Sequence, residues 1–528
     1  MKKICYFILL CTTCLSAQLY KSHDWTKTPK FYDLTEEEIN LPSIAIKEKH
    51  LIQYHQPVMG ALALYETKHS IIRVNTDKGI KRHNRVYIPL RNVLKVVEIK
   101  ARVIHPNGQA TIFDKKNIKE LKDVKKYGGF KIFAIEGIEK NTQVEVIYTL
   151  KKQLSNLGAI IVQKNYKIKQ AEVIIRKPYF LKTKIKNYNG FPSLSKEKIV
   201  GNKIAYTASM ENIPAMIDEP TSTYDANRMK VVYLTSNQSS DIGLEWSSFS
   251  SRIRESFIKI KPKKFKKLIS NFNKENITIS NTDSLIVAID SYVSSHFNIV
   301  EEGSPFDDLK TIYQTKRGTN ISILKVYTCL FNHFDINYNI VLTSNRYHNK
   351  FDQHFFTNSN LSYVMLFFPD SQKFLCPSEK NLSLGYPPSR YSNNEGIFID
   401  KHSYNFNQIP TATMDHTIID RHVNAKINID EETVVVNGNY NSTGYRAQNS
   451  RMAYRYFKKE SIDQFKNMEA ASGLNDVSFT DFIVSKEDLG LGLNNIPFNI
   501  TYQYSSEELL EEINGDYMLN IGKLIGTP

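Results

Sequence analysis

The stretch that decides the fold is Lys316-Arg317-Gly318-Thr319-Asn320-Ile321-Ser322-Ile323-Leu324-Lys325-Val326-Tyr327-Thr328-Cys329-Leu330-Phe331. Ile323, Leu324, Tyr327 and Leu330 recur at helical spacing, which predicts a helix from Asn320 to about Phe334. Upstream, Trp246 to Ile260 and the set Leu285, Ile289, Tyr292 and Val293 follow the same period, with Thr282 available as an N-cap. Downstream lie three strand-like runs, Tyr338–Thr343, Leu361–Phe368 and Gln372–Cys376. Helices followed by an antiparallel sheet predict an α+β domain over residues 241–400.

The flanks read differently. Between residues 51 and 240 the period is two: Val97 to Val103 alternates apolar and polar, and Pro106-Asn107-Gly108 supplies a turn before Ala110–Phe113. Val144–Leu150 and Ala171–Ile175 continue the pattern, which predicts a β-sandwich. Asn212-Ile213-Pro214-Ala215 and Glu219-Pro220 break regular structure. Strands return after His416, as in Thr433–Val436 and Phe498–Tyr504, so residues 401–528 read as a second β-rich domain. Ser505–Ile513 reads as a short acidic helix, and with no obvious closing strand after it that domain reads as incomplete. Residues 18–50 read as a linker. A chain of 528 residues with 41% hydrophobic and 11% aromatic content can fill several cores.

Residues 1–17 have the layout of a secretory signal: Lys2 and Lys3, an apolar run from Ile4 to Leu10, then Leu15-Ser16-Ala17 before Gln18. Cys11 and Cys14 near that site raise a lipoprotein reading, but neither follows the small residue in an apolar context that lipidation favours. Lys+Arg outnumber Asp+Glu by 69 to 54, a formal charge of +15, and loss of Lys2 and Lys3 leaves +13. That balance is common in proteins that bind nucleic acid or anionic surfaces, and export argues against nucleic acid. Cleavage also leaves two of five cysteines, Cys329 and Cys376, enough for one disulfide at most. No internal apolar run reaches the ~18 residues of a spanning helix.

The order of elements in the middle domain resembles the transglutaminase-like core, a relative of the papain-like thiol enzymes. That family carries Gly-Asp-Cys at a helix N-terminus, Asn-His opening a strand, and Leu-Asp-Pro at the end of the next. Here Gly318-Thr319-Asn320, Asn360-Leu361-Ser362 and Leu375-Cys376-Pro377 stand at those places. Phe130-Lys131-Ile132-Phe133-Ala134-Ile135-Glu136-Gly137 resembles the domain that precedes this core in large exported proteins of Gram-negative bacteria, and Asn212–Pro220 resembles its linker. Thr443-Gly444 through Arg451 and Tyr454 resembles the β-rich domain that follows it. The resemblance covers most of Leu51 to Tyr504.

In such a site the helix dipole and an imidazolium stabilise the thiolate, and the Asp orients the His. The resemblance puts Asn320 at the nucleophile, Ser362 at the histidine and Cys376 at the aspartate. An amide nitrogen delocalised into its carbonyl is no nucleophile, and a serine is no base near neutral pH. Losing one member of such a unit already costs orders of magnitude in rate. The core therefore reads as a degenerate enzyme with no catalytic residues and no cofactor. A periplasmic or outer-membrane-associated location in a Gram-negative bacterium follows from the same reading. Its partner would be an envelope protein, a peptide, a polysaccharide or an active paralogue. The competing reading is a live thiol peptidase, amidase or transglutaminase acting through Cys376, with His354 as a possible base; a third is a structural spacer.

Three further features stand out. Cys329, mid-helix, reads as a small buried hydrophobe or as the partner of Cys376 in a disulfide. His348, Asp352 and His354 have ligand-type side chains but lack a fourth nearby, so they read as a solvated loop before a metal site. Lys259 to Lys267 holds six lysines in nine residues around Pro262, a solvated helix start or a contact with an anionic surface.

Overall fold

Alternation explains the first strand, Ser43–His55: Ile52 and Tyr54 turn into an apolar core while Gln53 and His55 face the other way. The computed structural model describes residues 19–525 except 58, 125–127, 200–201, 221, 237–245, 276–278, 280, 305–306, 358–360, 362, 380–381, 383, 412–415 and 486–495. The signal reading of residues 1–17 therefore lies outside the described residues. The chain divides into two units, Met1–Gly243 and Leu244–Pro528.

The first unit is built on an eight-stranded sheet. Its strands run in the order 195–199, 203–213, 167–178, 43–55, 63–74, 142–152, 93–104, 110–112. The strands Ser43–His55 and Lys167–Pro178 pair in parallel; the other neighbours are antiparallel. The strand read from Val97 to Val103 runs from Val93 to Ile104, and Gly108, at a φ of +81°, closes the turn after it. Ile160, Val231 and Tyr233 of a three-stranded sheet, and Ile88 and Phe133 of another, enter the same apolar cluster as Ile52 and Val173.

The opposite face of the large sheet is polar and buried. Glu145 sits there between His69 Nε2 at 2.9 Å and Arg102 Nε at 2.6 Å, and Thr67 and Thr149 share a 2.8 Å hydrogen bond. The residues read as a linker cover this face, which corrects that reading. Tyr20 N donates to Gln53 Oε1 at 3.0 Å, Tyr32 N donates to Gln143 Oε1 at 2.8 Å, and His23 Nε2 lies 3.1 Å from His69 Nδ1. Trp25 takes the Arg102 guanidinium at 4.4 Å and Phe31 that of Arg73 at 3.8 Å.

In the second unit, helices 246–253, 266–275, 282–296, 309–315 and 324–333 precede a five-stranded antiparallel sheet. Its order is 373–375, 363–368, 339–343, 394–399, 404–409. The central helix starts at Leu324, four residues later than its apolar period suggested, and every residue from Leu324 to Phe331 is buried. Asn281, one residue before the expected Thr282, caps the helix 282–296 by accepting from Ser284 N at 3.1 Å.

A four-stranded antiparallel sheet follows, ordered 419–428, 433–442, 498–506, 478–485. The expected β-rich character is incomplete, because helices Gly444–Glu460 and Ile462–Ala470 contribute Ala447, Phe465 and Ala470 to its core. The acidic helix expected over Ser505–Ile513 is absent: the strand runs to Ser506, and Leu510–Ile513 pairs with Asp516–Leu519 as a hairpin. No helix among the described residues is long and apolar enough to cross a membrane.

Candidate functional site

The turn Thr319–Ile323 delivers the chain into the buried helix Leu324–His333, and its own hydroxyls tie it. Ser322 N donates to Thr319 Oγ1 at 3.1 Å, and Thr319 N donates to Ser322 Oγ at 2.8 Å. Two backbone donors ahead of the helix are thus used within the turn, and the first helical N–H groups, of Leu324, Lys325 and Val326, donate to the carbonyls of Ile321, Ser322 and Ile323 at 3.2, 3.1 and 2.9 Å. Thr319 and Ser322 are buried, and Asn320 between them is half-buried. Gly318 fits because a Cβ there would stand 2.9 Å from Ser322 Oγ.

Cys376 lies just past the strand Lys373–Leu375 and is 4% exposed. Alternation separates it from its neighbour: Leu375 joins the cluster of the helix Leu324–His333, while Phe374 and Cys376 join Val341, Met365, Tyr391 and Phe398. The Cys376 thiol contacts the Val364 carbonyl at 3.8 Å and Ser378 Oγ at 3.5 Å. Burial pushes it up to about 11, so the group stays a thiol at neutral pH. Cys329 is fully buried in mid-helix, and burial pushes its thiol up to about 12. Both thiols are free, so the disulfide considered between them does not form. Ser362 lies outside the described residues.

His348 and His354 are exposed, and Asp352 Oδ1 accepts from the His354 backbone N at 3.0 Å, a loop cap. Among the described residues no three His, Cys, Asp or Glu side chains assemble as a metal-holding group. His354 thus stands on a surface loop, whereas Cys376 is buried with a carbonyl and a hydroxyl as its sulfur partners. At the end of the helix 282–296, Ser295 Oγ, His296 and Glu275 come together: Ser295 to His296 Nδ1 is 3.0 Å, and His296 Nε2 to Glu275 is 3.3 Å. Yet Ser295 Oγ and His296 Nδ1 also address the Tyr292 carbonyl, at 3.1 and 2.9 Å. The group closes a helix C-terminus.

Sequence reading missed one pair. Asp290, on the helix 282–296, accepts from Tyr327 Oη at 2.7 Å. Removal from water lifts Asp290 to about 6 against that hydrogen bond, and burial holds the Tyr327 phenol well above its usual 10.0. The Asp290 charge also adds to the upward shift of Cys376. The signal was a lone carboxylate ending the apolar run Leu285–Ile289.

The chain is thus a β-rich protein of several sheets whose second unit carries a buried helix on a five-stranded sheet. Residues 63–217, within the first unit, match a family model described as a domain of unknown function with solved structure, DUF3857. No curated protein matches. Among solved structures, the chain is similar to one from Parabacteroides distasonis provisionally described as a protease. The identity is 9% and the TM-score 0.47, over 88% of this chain and 93% of that one. An M1 zinc metallopeptidase from Deinococcus radiodurans aligns at 8% identity and a TM-score of 0.21, over 41% of this chain and 54% of its own. Leukotriene A4 hydrolase from Saccharomyces cerevisiae aligns at 9% and 0.22, over 44% and 35%.

Proposed function

We propose that the second unit holds a transglutaminase-like core that has lost its thiol chemistry, and that the protein acts by binding a peptide, a polymer or a partner protein. In this reading residues 51–240, 241–400 and 401–528 are its domains. It is exported to the periplasm or outer membrane of a Gram-negative bacterium, where an active paralogue is one candidate partner. The observation that carries the reading is the turn into the buried helix, where Asn320 stands and two of the turn's donors are spent on Thr319 and Ser322. The burial of Cys376 and its raised thiol count against a live enzyme acting through it.

Two measurements test this together. Folded protein treated with iodoacetamide at neutral pH is expected to leave Cys376 unlabelled by mass spectrometry, and glutamine-containing peptides are expected to release no ammonia. Turnover that Cys376→Ala abolishes would establish the enzyme reading instead. Export is checked by sequencing the N-terminus of the mature protein, expected at Gln18.

A further inference from the structure

Two open cavities lie side by side in the second unit, away from the turn at Asn320. One, of about 630 Å³, is lined by Pro262, Lys263, Lys266, Lys274 and His333, with Ser270 and Asn273 as uncharged polar groups. The other, of about 540 Å³, is lined by Arg254, Lys259, Ile260, Asn332, Lys401 and His402. Ile260 belongs to one and Pro262 to the other, as do Asn332 and His333, so a thin rib of chain divides them.

The rib is fixed. Asn332 Nδ2 donates to the carbonyls of Ile258 at 2.7 Å and Ile260 at 3.1 Å, and Tyr338 Oη donates to Asn332 Oδ1 at 3.1 Å. This anchors the lysine run to the C-terminus of the helix Leu324–His333, where the helix dipole favours positive charge.

Few carboxylates neutralise the lysines. Glu255 pairs with Lys259, and Asp335 reaches Lys401 only at 3.9 Å. Asp400 turns its Oδ1 to the backbone N of His402 at 2.6 Å and Ser403 at 2.5 Å, and Glu275 faces His296. Among the described residues Lys261, Lys263, Lys264, Lys266, Lys267 and Lys274 form no salt bridge. The shape and lining narrow the ligand. No large hydrophobic side chain between Ile217 and Ile418 is exposed among the described residues, so an apolar anchor for a membrane is missing there. No Phe, Tyr or Trp lines either cavity, and one imidazole in each, His333 and His402, is a small platform for successive stacked bases.

We propose that the twin cavities bind a linear acidic polysaccharide, its repeated anionic groups meeting lysines on both sides of the rib and its hydroxyls meeting Ser270 and Asn273. Ammonium groups on flexible stems suit a ligand whose charges recur along a chain. This site does not depend on how the turn at Asn320 is read.

The test is fluorescence anisotropy of the full chain with a fluorescein-labelled polygalacturonate oligomer. Binding is expected to weaken as salt rises from about 50 mM to about 300 mM. The variant K263E/K266E/K274E and, separately, K259E/K401E are each expected to weaken it at least about tenfold. Lys310→Glu, on another helix, is expected to leave it unchanged, and circular dichroism confirms that all three variants fold. Binding by K263E/K266E/K274E or by K259E/K401E as tight as that of the unaltered chain would overturn the proposal. So would no binding at low salt, or tighter binding of a labelled oligothymidylate or of phosphatidylglycerol vesicles.

Discussion

Glu48 is fully buried, on the same face of its strand as the core residues Ile52 and Tyr54. Lys68 Nζ stands 3.3 Å from its Oε2, Tyr166 Oη donates to its Oε1 at 2.9 Å, and His50 Nε2 lies 3.9 Å away. Removing Lys68 takes away the largest positive charge acting on Glu48 and leaves Lys164 and the Tyr166 hydroxyl, so Lys68→Met is expected to cost about 2–3 kcal/mol, below the full cost of breaking a buried pair. Urea unfolding measures this; a cost below about 1 kcal/mol would show that Glu48 is held without Lys68. The imidazoles of this unit add a pH dependence. Burial, aided by His69, lowers His23 to about 4; burial, aided by Lys68 and Lys164 and opposed by Glu48, lowers His50 to about 3. Burial with Arg82 beside it lowers His83 to about 4. As pH falls below 6.5 the unfolded chain takes up these protons first. The stability they represent is complete above that value and drains away toward pH 4 and below. The melting temperature is expected to fall steadily from pH 7 to pH 4.5, and His50→Gln to flatten part of the slope. A pH-independent melting temperature would refute this assignment.

Among elements, the strand Thr433–Ser442 shows how closely side chains constrain backbone. Gly438 lies opposite Tyr502, and a Cβ at Gly438 would fall 2.0 Å from the Tyr502 ring. Gly438→Ala must displace a buried tyrosine, which is expected to cost about 1–3 kcal/mol, visible as a lower melting temperature. Gly444 meets a second limit, with a φ of +56° and the His416 carbonyl 2.1 Å from where a Cβ would stand. Elements whose apolar residues recur at a simple period were legible in the sequence, such as the strand carrying Ile99, Ala101 and Val103 and the helix carrying Tyr327 and Leu330, although Val97, beside a register shift, is exposed and Arg102 is buried. The helix Gly444–Glu460 was not, because its buried face includes Gln448, Ser450 and Arg451. Two of them find partners elsewhere in the chain: Ser450 Oγ donates to Glu469, and Arg451 to the Ile496 carbonyl. The hairpin at Leu510–Leu519 was masked by the glutamates of its first strand, although Asn514-Gly515, both at positive φ, is a strong turn signal.

Across the whole molecule, the candidate site was legible as residue types and illegible as surroundings. Asn320 came from the resemblance to the transglutaminase-like pattern, the two thiols from the cysteine count, and the lysine run from its charge. The Asp290–Tyr327 contact and the concavity around the lysines needed helices and loops separated by up to about 150 residues in the chain. The segment that covers the polar face of the first unit has a consequence for how that unit is made. Its Tyr32 is received by Gln143, 111 residues later, and neither Glu145 nor Arg102 exists when Trp25 is synthesised. These residues leave the ribosome before their partners and therefore dock only after the strand that carries Gln143 and Glu145 has followed them. Until they do, an assembled sheet waits with one polar face still wet.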